Sequence, residues 1–346
     1  MSESQKGAAA VVRRAHEIAD GVLFPAANAV DATGEVPEGH WDLLAREGFY
    51  GLAAAVGAKE LGFEDIVEIL EVMSGGCLST TFTWMQHQGA VLNLSGSGNT
   101  ALRERHLQDM VDGRTRAGVA FAGVLPNPPK LWARAVDGGY ELDGEAPFVS
   151  GWGVVDVLHV SGRDPDSGEE GTIVSGLIDA VSGGGLGVEP IRLVAGQATS
   201  TVRLTFDKYL MPSERVTGST SYAEFLSFQA FGSRLNGCVA CGITRRAVRL
   251  LDEAGHAEAA GALTTRLDRV RADLDAGLGD PAAMTAARAA AAELALKAAG
   301  AVVAGVGSSG ILAGRHAERL VREATFALVA ASRPDMRADL VRRLTS

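Results

Sequence analysis

Between Gly139 and Arg163 the chain reads GYELDGEAPFVSGWGVVDVLHVSGR, a pattern that suits strands and no helix. Tyr140 and Leu142 alternate with Glu141 and Asp143, the two-residue period of a strand with one buried face. Asp143-Gly144 predicts a tight turn, since glycine takes the positive φ that a primed turn requires, with a second strand through Phe148 and Val149 to complete a hairpin. Beyond the Gly151-Trp152-Gly153 break, Val154, Val155, Val157, Leu158 and Val160 make a run apolar on both faces, as in a strand covered on both sides.

The stretches on either side have another period. From Ala8 to about Ala117 the chain is alanine-rich and helical, interrupted by Pro25, Pro37 and Gly75-Gly76; Val11, Val12, Ala15, Ile18 and Ala19 share one face. Strands are expected again at Gly118–Ala122, at Ile173–Ile178 and where Val202, Leu204 and Phe206 alternate with Arg203, Thr205 and Asp207, with Met211-Pro212 closing the sheet. From Tyr222 onward helices return, separated near Gly255–Gly261, Gly277–Pro281 and Gly305–Gly314. The expected class is α+β: an N-terminal helical domain (1–116), a central antiparallel β-barrel or sandwich domain (117–213) and a C-terminal four-helix bundle (214–346).

With 346 residues, 47% of them hydrophobic, the chain is long enough for more than one core and too apolar to be disordered. A net charge of −10 argues against nucleic acid or an anionic membrane as the main partner, because both attract basic surfaces. The uncharged Ala298–Gly314 stretch is broken by Gly305, Gly307 and Gly310 and falls short of a membrane span; no cleavable signal is read at the N-terminus, so a cytoplasmic protein is expected. Cys77, Cys238 and Cys241 cannot form an even disulfide framework. Cys238-Val-Ala-Cys241 has ligand spacing without a second pair or paired histidines, so no metal site is expected. His87, among Trp84, Met85 and Gln86, is a candidate base or pocket residue, with a core histidine bonded to a backbone carbonyl as the plainer reading.

The run GY-x-LDG-x-x-x-Phe148-Val-Ser150-Gly resembles the central β-domain of the acyl-CoA dehydrogenases. The order HWDLLAREGFYGL, VEILEVMSGGCLSTTFTWMQHQGAV, TALRERHLQDMVDGR, TVRLTFDKYLMPSERV and the Arg319–Ala324 arginine-acid-alanine pattern is similar to that family along nearly the whole chain. The resemblance implies FAD as cofactor, an acyl thioester on coenzyme A or a carrier protein as substrate, and a homodimer or tetramer. It implies that Phe148 flanks the isoalloxazine ring and Ser150 hydrogen-bonds it, with Phe121, Gly123 and Trp152 also at the cofactor. Ala55-Val56-Gly57 is a shortened counterpart of a family Gly-Gly loop, and the arginine-acid-alanine pattern is expected to tie the helices together by salt bridges.

Three departures matter. The family's usual catalytic carboxylate falls on Ala331, followed by Ser332, and its alternative position on Ser233, before Arg234; neither serves as a base at neutral pH. Glu224 and Asp335 lie nearby in sequence and are the substitutes to consider. The family's Thr-Glu-Pro-Gly-x-Gly-Ser run, whose amides hold the flavin, is replaced by Ala122-Gly123-Val124-Leu125-Pro126-Asn127-Pro128-Pro129. Arg266, Arg269 and Arg271 stand where the family has Arg-x-x-Phe-Gly, and Ala304–Gly310 keep glycines without the family's glutamine. Two classes follow: a flavin-dependent oxidoreductase of altered chemistry, either a dehydrogenase with a displaced base or a monooxygenase-like relative, and a non-catalytic subunit paired with a homologous, base-bearing partner.

Overall fold

The computed structural model describes residues 3–57, 60–168 and 171–346. Its N-terminal helices are α1 (Glu3–Ile18), α2 (Phe24–Thr33), α3 (Glu38–Arg46), α4 (Leu52–Gly57), α5 (Phe63–Gly76), α6 (Leu78–Ser95) and α7 (Thr100–Val111). A π-helical turn, Ala19–Leu23, joins α1 to α2 just before Pro25, whose ring clashes with an ordinary helical carbonyl and whose nitrogen cannot donate. The Ala55-Val56-Gly57 segment lies in α4, so it is helical where a loop was expected.

The strands are β1 (Ala117–Ala120), β2 (Leu131–Val136), β3 (Gly139–Val149), β4 (Val157–Asp164), β5 (Thr172–Asp179), β6 (Leu186–Pro190), β7 (Val202–Pro212) and β8 (Val216–Ser221). They form one sheet in the order β6-β7-β3-β2-β4-β5-β8, with β1 parallel to β4. Among the described residues β6 and β8 are not paired with each other, so the sheet is open rather than a closed barrel. It also continues past Met211-Pro212, because β8 pairs antiparallel with β5. β4 is buried on both sides up to Arg163, as its sequence requires.

The hairpin turns elsewhere than expected. Asp137-Gly138 makes the turn, with Val136 opposite Gly139, and Asp143-Gly144 lies within one continuous strand, β3. Gly144 instead sits at a register shift against β7, at φ +122°, and a Cβ there would stand 2.0 Å from the Lys130 carbonyl oxygen. Backbone crossing so close admits only glycine. Gly144→Ala is therefore expected to destabilise the protein by on the order of 2 kcal/mol in chemical denaturation, and an unchanged midpoint would show that the bulge relaxes freely.

The C-terminal helices are α8 (Tyr222–Ser227), α9 (Gln229–Glu253), α10 (Ala257–Ala276), α11 (Pro281–Val306), α12 (His316–Val329) and α13 (Pro334–Thr345). The expected closing helix is thus two, separated at Ala330–Arg333. By length and composition one helical stretch among the described residues, Pro281–Ile311, could cross a membrane; here α11 lies among α9, α10, α12 and α13 and buries Ala287, Ala291, Leu294, Ala295, Ala298 and Val302. N- and C-terminal helices share one apolar core, in which Ile69, Met73 and Leu78 pack with Cys238, Ile243, Ala298 and Leu320. Leu142, Val160, Leu204 and Phe206 belong to a second core on the sheet, and Ala90, Leu94 and Met110 join α6 and α7 to Ala117, Val157 and Leu177.

Candidate cofactor site

The end of β3 is shaped by Pro147. Between Ala146 and Val149 the register against β7 shifts, and Phe148 takes φ +56°, which few side chains other than glycine adopt. This places Phe148 outward, 65% exposed, although a phenyl ring gains by burial. Behind it Ser150 is buried, its hydroxyl 2.9 Å from Thr201 Oγ1, which lies 2.7 Å from Thr199 Oγ1. Gly151 donates to the Thr199 carbonyl (2.8 Å) and Trp152 to that of Ser200 (3.2 Å), so two segments of extended chain lock together. Thr83 of α6 abuts Gly151, and its Oγ1 is buried without a partner. Trp152 is half-buried against the sheet core.

Phe148, Ser150 and Trp152 therefore lie in one run, but Gly123 is placed differently. It is buried, its carbonyl accepts from Lys130 (2.7 Å) and Leu131 (3.2 Å), and a Cβ there would meet the Glu145 carbonyl at 2.5 Å. It acts as a packing position at the base of the loop. The half-buried Phe121 accepts from the Val124 amide at 3.1 Å. With Pro126, Pro128 and Pro129 lacking N–H groups and Val124 and Lys130 bonded internally, this loop has few amides to offer an anion.

The base candidates do not converge. Ala331 follows α12, exposed, at φ +51°, and Ser233 is half-buried on α9 beside Arg234, which is buried and bonded to Asp275 (2.6 Å). Glu224 is exposed on α8, accepting a hydrogen bond from Thr220 at 2.7 Å. Asp335 sits at the start of α13; partial burial pushes its carboxyl up, but bonds from the Met336 amide and Thr285 (3.0 Å) and the charge of Arg333 outweigh this and hold it below the usual range. A carboxylate held ionised in this way makes a weak base.

His87 is a structural link. Its Nε2 donates to the Met110 carbonyl (3.1 Å), its Nδ1 accepts from the Ala117 amide (3.0 Å), and its ring meets Tyr50 edge-on at 4.7 Å. Both nitrogens are committed, which removes it as a base. Burial holds it at about 4, and holds His159, bonded to Thr217 Oγ1, at about 4 as well. Both values lie below the ordinary 6.5, so the stability these rings contribute is complete above pH 6.5 and lost as pH falls through about 4. Unfolding titrations are expected to weaken across that window, and His159→Gln is expected to flatten the slope.

Sequence reasoning missed Arg288 of α11, which is fully buried, pushed down to about 10 by burial, and donates to the Ala330 carbonyl at 3.3 Å beside the usual base position. It also missed the hydroxyls of Thr199 and Thr201; the Ala198-Thr-Ser-Thr201 run just before an alternating strand was the available signal. Among the described residues no cluster of three or more His, Cys, Asp or Glu is placed to hold a metal. Cys238 and Cys241 are buried, and burial raises both thiols, that of Cys238 to about 12.

Residues 5–114 match the family described as acyl-CoA dehydrogenase, N-terminal domain. The N-terminal third of the chain thus carries that family's N-terminal domain. The fold agrees over its whole length with the butyryl-CoA dehydrogenase of Megasphaera elsdenii, at 16% identity and a TM-score of 0.81, covering 100% of this chain and 99% of that one. PigA with FAD and proline is similar at 19% identity and a TM-score of 0.80, covering 100% and 98%. A nitrososynthase from Micromonospora carbonacea is similar at 19% identity and 0.77, covering 100% and 96%. No curated protein matches the sequence. At these identities the acyl-CoA dehydrogenase fold is what is shared.

Proposed function

We propose that this chain is a flavin-dependent oxidoreductase that binds FAD against Phe148, Ser150 and Trp152 and acts on an acyl thioester or related substrate, without a carboxylate at the superfamily's usual base position. The observation that carries this reading is the outward Phe148 ring, 65% exposed at φ +56°, two residues before Ser150, whose buried hydroxyl is hydrogen-bonded to that of Thr201 and through it to that of Thr199.

The residues suit the ring system of a flavin. An exposed phenyl face stacks on a planar heteroaromatic, the hydroxyl series supplies donors and acceptors at its edge, and the unpartnered Thr83 hydroxyl adds a further group nearby. The proline-rich loop suits the phosphate half less well. When bound, the flavin supplies hydride acceptance or, in its reduced state, activation of oxygen. The chain's own part is to present the stacking face and to fix the hydroxyls through the Gly151 and Trp152 backbone bonds.

With Ala331 and Ser233 at the base positions, and Glu224, Asp335 and His87 engaged elsewhere, none of the candidate side chains among the described residues is poised for proton abstraction next to a thioester. This supports monooxygenase-like chemistry over ordinary dehydrogenation, and equally supports a second reading as the non-catalytic partner of a homologous subunit. A cytoplasmic homodimer or tetramer is the assembly proposed for the first reading. A visible flavin band on reconstitution with FAD, oxygen uptake with a flavin reductase and no anaerobic bleaching by thioesters is the expected result. A protein that never binds FAD alone, yet does so when co-expressed with a homologue, would replace it with the subunit reading.

A further inference from the structure

The hydroxyls of Ser150, Thr201 and Thr199 stand in series, Ser150 Oγ 2.9 Å from Thr201 Oγ1 and Thr201 Oγ1 2.7 Å from Thr199 Oγ1. Each hydroxyl carries one proton, so the series has one proton more than it has bonds to fill. Burial decides where that proton sits. Thr199 is fully buried, and among the described residues its hydroxyl has Thr201 as its partner and no other. A buried donor without an acceptor is costly and a spare lone pair is cheap, so Thr199 donates to Thr201.

The next bond runs the same way. Were Ser150 to donate inward as well, Thr201 would accept twice and its own proton, set between two neighbours, would have no acceptor. With Thr201 donating to Ser150 instead, the two bonds point in one direction and polarise each other. The spare proton is then on Ser150, the end of the series that lies in the run carrying the exposed Phe148 ring and the half-buried Trp152. The inner end is held in place by backbone. The Thr199 carbonyl accepts from the Gly151 amide (2.8 Å), its amide donates to the Gly196 carbonyl (2.9 Å), and Ser200, between the two threonines, takes φ +48°, a left-handed conformation that few residues other than glycine adopt. Phe326 of α12 packs on this segment, 3.4 Å from where a Cβ of Gly196 would stand.

Resting on the flavin reading above, we propose that Thr199 and Thr201 are positioning residues that make Ser150 a hydrogen-bond donor toward the cofactor ring, so that the site prefers oxidised flavin to reduced. The polar edge of an oxidised isoalloxazine is made mostly of acceptors; on reduction, ring nitrogens take up protons and become donors, and hydrogen bonds to those nitrogens tune the ring's electronics. A Ser150 whose proton points outward satisfies an acceptor and meets a donor badly. Both threonines are buried and act through Ser150, by fixing which way its hydroxyl is turned.

Reconstitution with FAD, followed by spectroelectrochemical titration and by fluorescence titration of oxidised FAD, tests this. In Thr199→Val the inner donor is gone, and Ser150 is free to donate to Thr201 and present lone pairs outward. The preference for oxidised over reduced flavin is expected to fall by about three- to tenfold, the scale of one hydrogen bond, which raises the two-electron potential by about 15–30 mV. Thr199→Ser, which keeps the hydroxyl, is expected to restore the wild-type potential, and in a Ser150→Ala background Thr199→Val is expected to have no effect on it. Thr199→Ala serves if the valine variant does not fold. An unchanged potential in Thr199→Val, a shift of the same size without Ser150, or equal weakening of oxidised and reduced FAD, which would reduce the threonines to props, each overturns the proposal and leaves the flavin reading standing. A wild type that binds no FAD, or a Ser150→Ala variant with unchanged FAD affinity and potential, removes the flavin from this edge and takes the proposal with it.

Discussion

Ala331→Glu is expected to produce thioester-dependent bleaching of added FAD on the order of 100-fold above the detection limit at which the wild-type chain shows none, the lower end of what a positioned general base contributes. The argument begins with the backbone. Ala331 sits at φ +51° directly after α12 and already pays for a left-handed conformation, so a glutamate there adds little strain. The position is exposed, which spares the new carboxylate a desolvation cost, and Arg288 stands beneath it against the Ala330 carbonyl. An exposed glutamate is ionised at neutral pH, so the variant carries a base there rather than an acid. Anaerobic stopped-flow spectroscopy with short and long acyl thioesters reads the effect, and the rate is expected to rise with pH as the carboxylate deprotonates. If no thioester bleaches the variant, the absent carboxylate is not what separates this chain from dehydrogenation, and the substrate is to be sought outside the thioesters.

Much of this fold can be read directly from residue order, because its elements announce themselves locally. Val202, Leu204 and Phe206 alternate into the core of β7, and the apolar run of β4 is buried on both faces. The choice between two Asp-Gly dipeptides was a different matter. Either can turn a hairpin, and what decides for Asp137-Gly138 is the close approach of the Lys130 backbone to Gly144, a tertiary contact that local pattern does not encode. The candidate site divides the same way. Phe148 and Ser150 were legible through a family motif, and Pro147 explains afterwards why the first points out and the second in. Arg288 was not, since a buried arginine written in one dimension looks like any surface cation.

Replacing Arg319 by methionine is expected to cost about 3–5 kcal/mol at neutral pH, the penalty for leaving one member of a buried ion pair alone. Arg319 and Glu323 pair within α12, their side chains 1% and 6% exposed, and Arg319 also donates to Asn28 Oδ1 at 3.1 Å, tying α12 to α2. The loss therefore falls on the junction between the N- and C-terminal helices. Glu323 Oε2 is buried without a partner, and burial raises this carboxyl above its ordinary 4.5 even though Arg319 opposes the shift. The sign of the pH dependence follows. A carboxyl whose folded value lies above its unfolded one binds protons more readily in the native state, so its contribution is complete below pH 4.5 and lost as pH rises through the folded value. Without Arg319 the shift grows, so the deficit of Arg319→Met is expected to narrow as pH is lowered from 8 towards 5. The double variant Arg319→Met, Glu323→Leu is expected to recover most of the lost stability at pH 8, because no charge is then stranded in the core. Urea unfolding of the three proteins at both pH values measures all of this. A single variant within about 1 kcal/mol of wild type would show that the stacked Phe24 and His316 rings, 4.0 Å apart between centroids, rather than the ion pair, hold the junction.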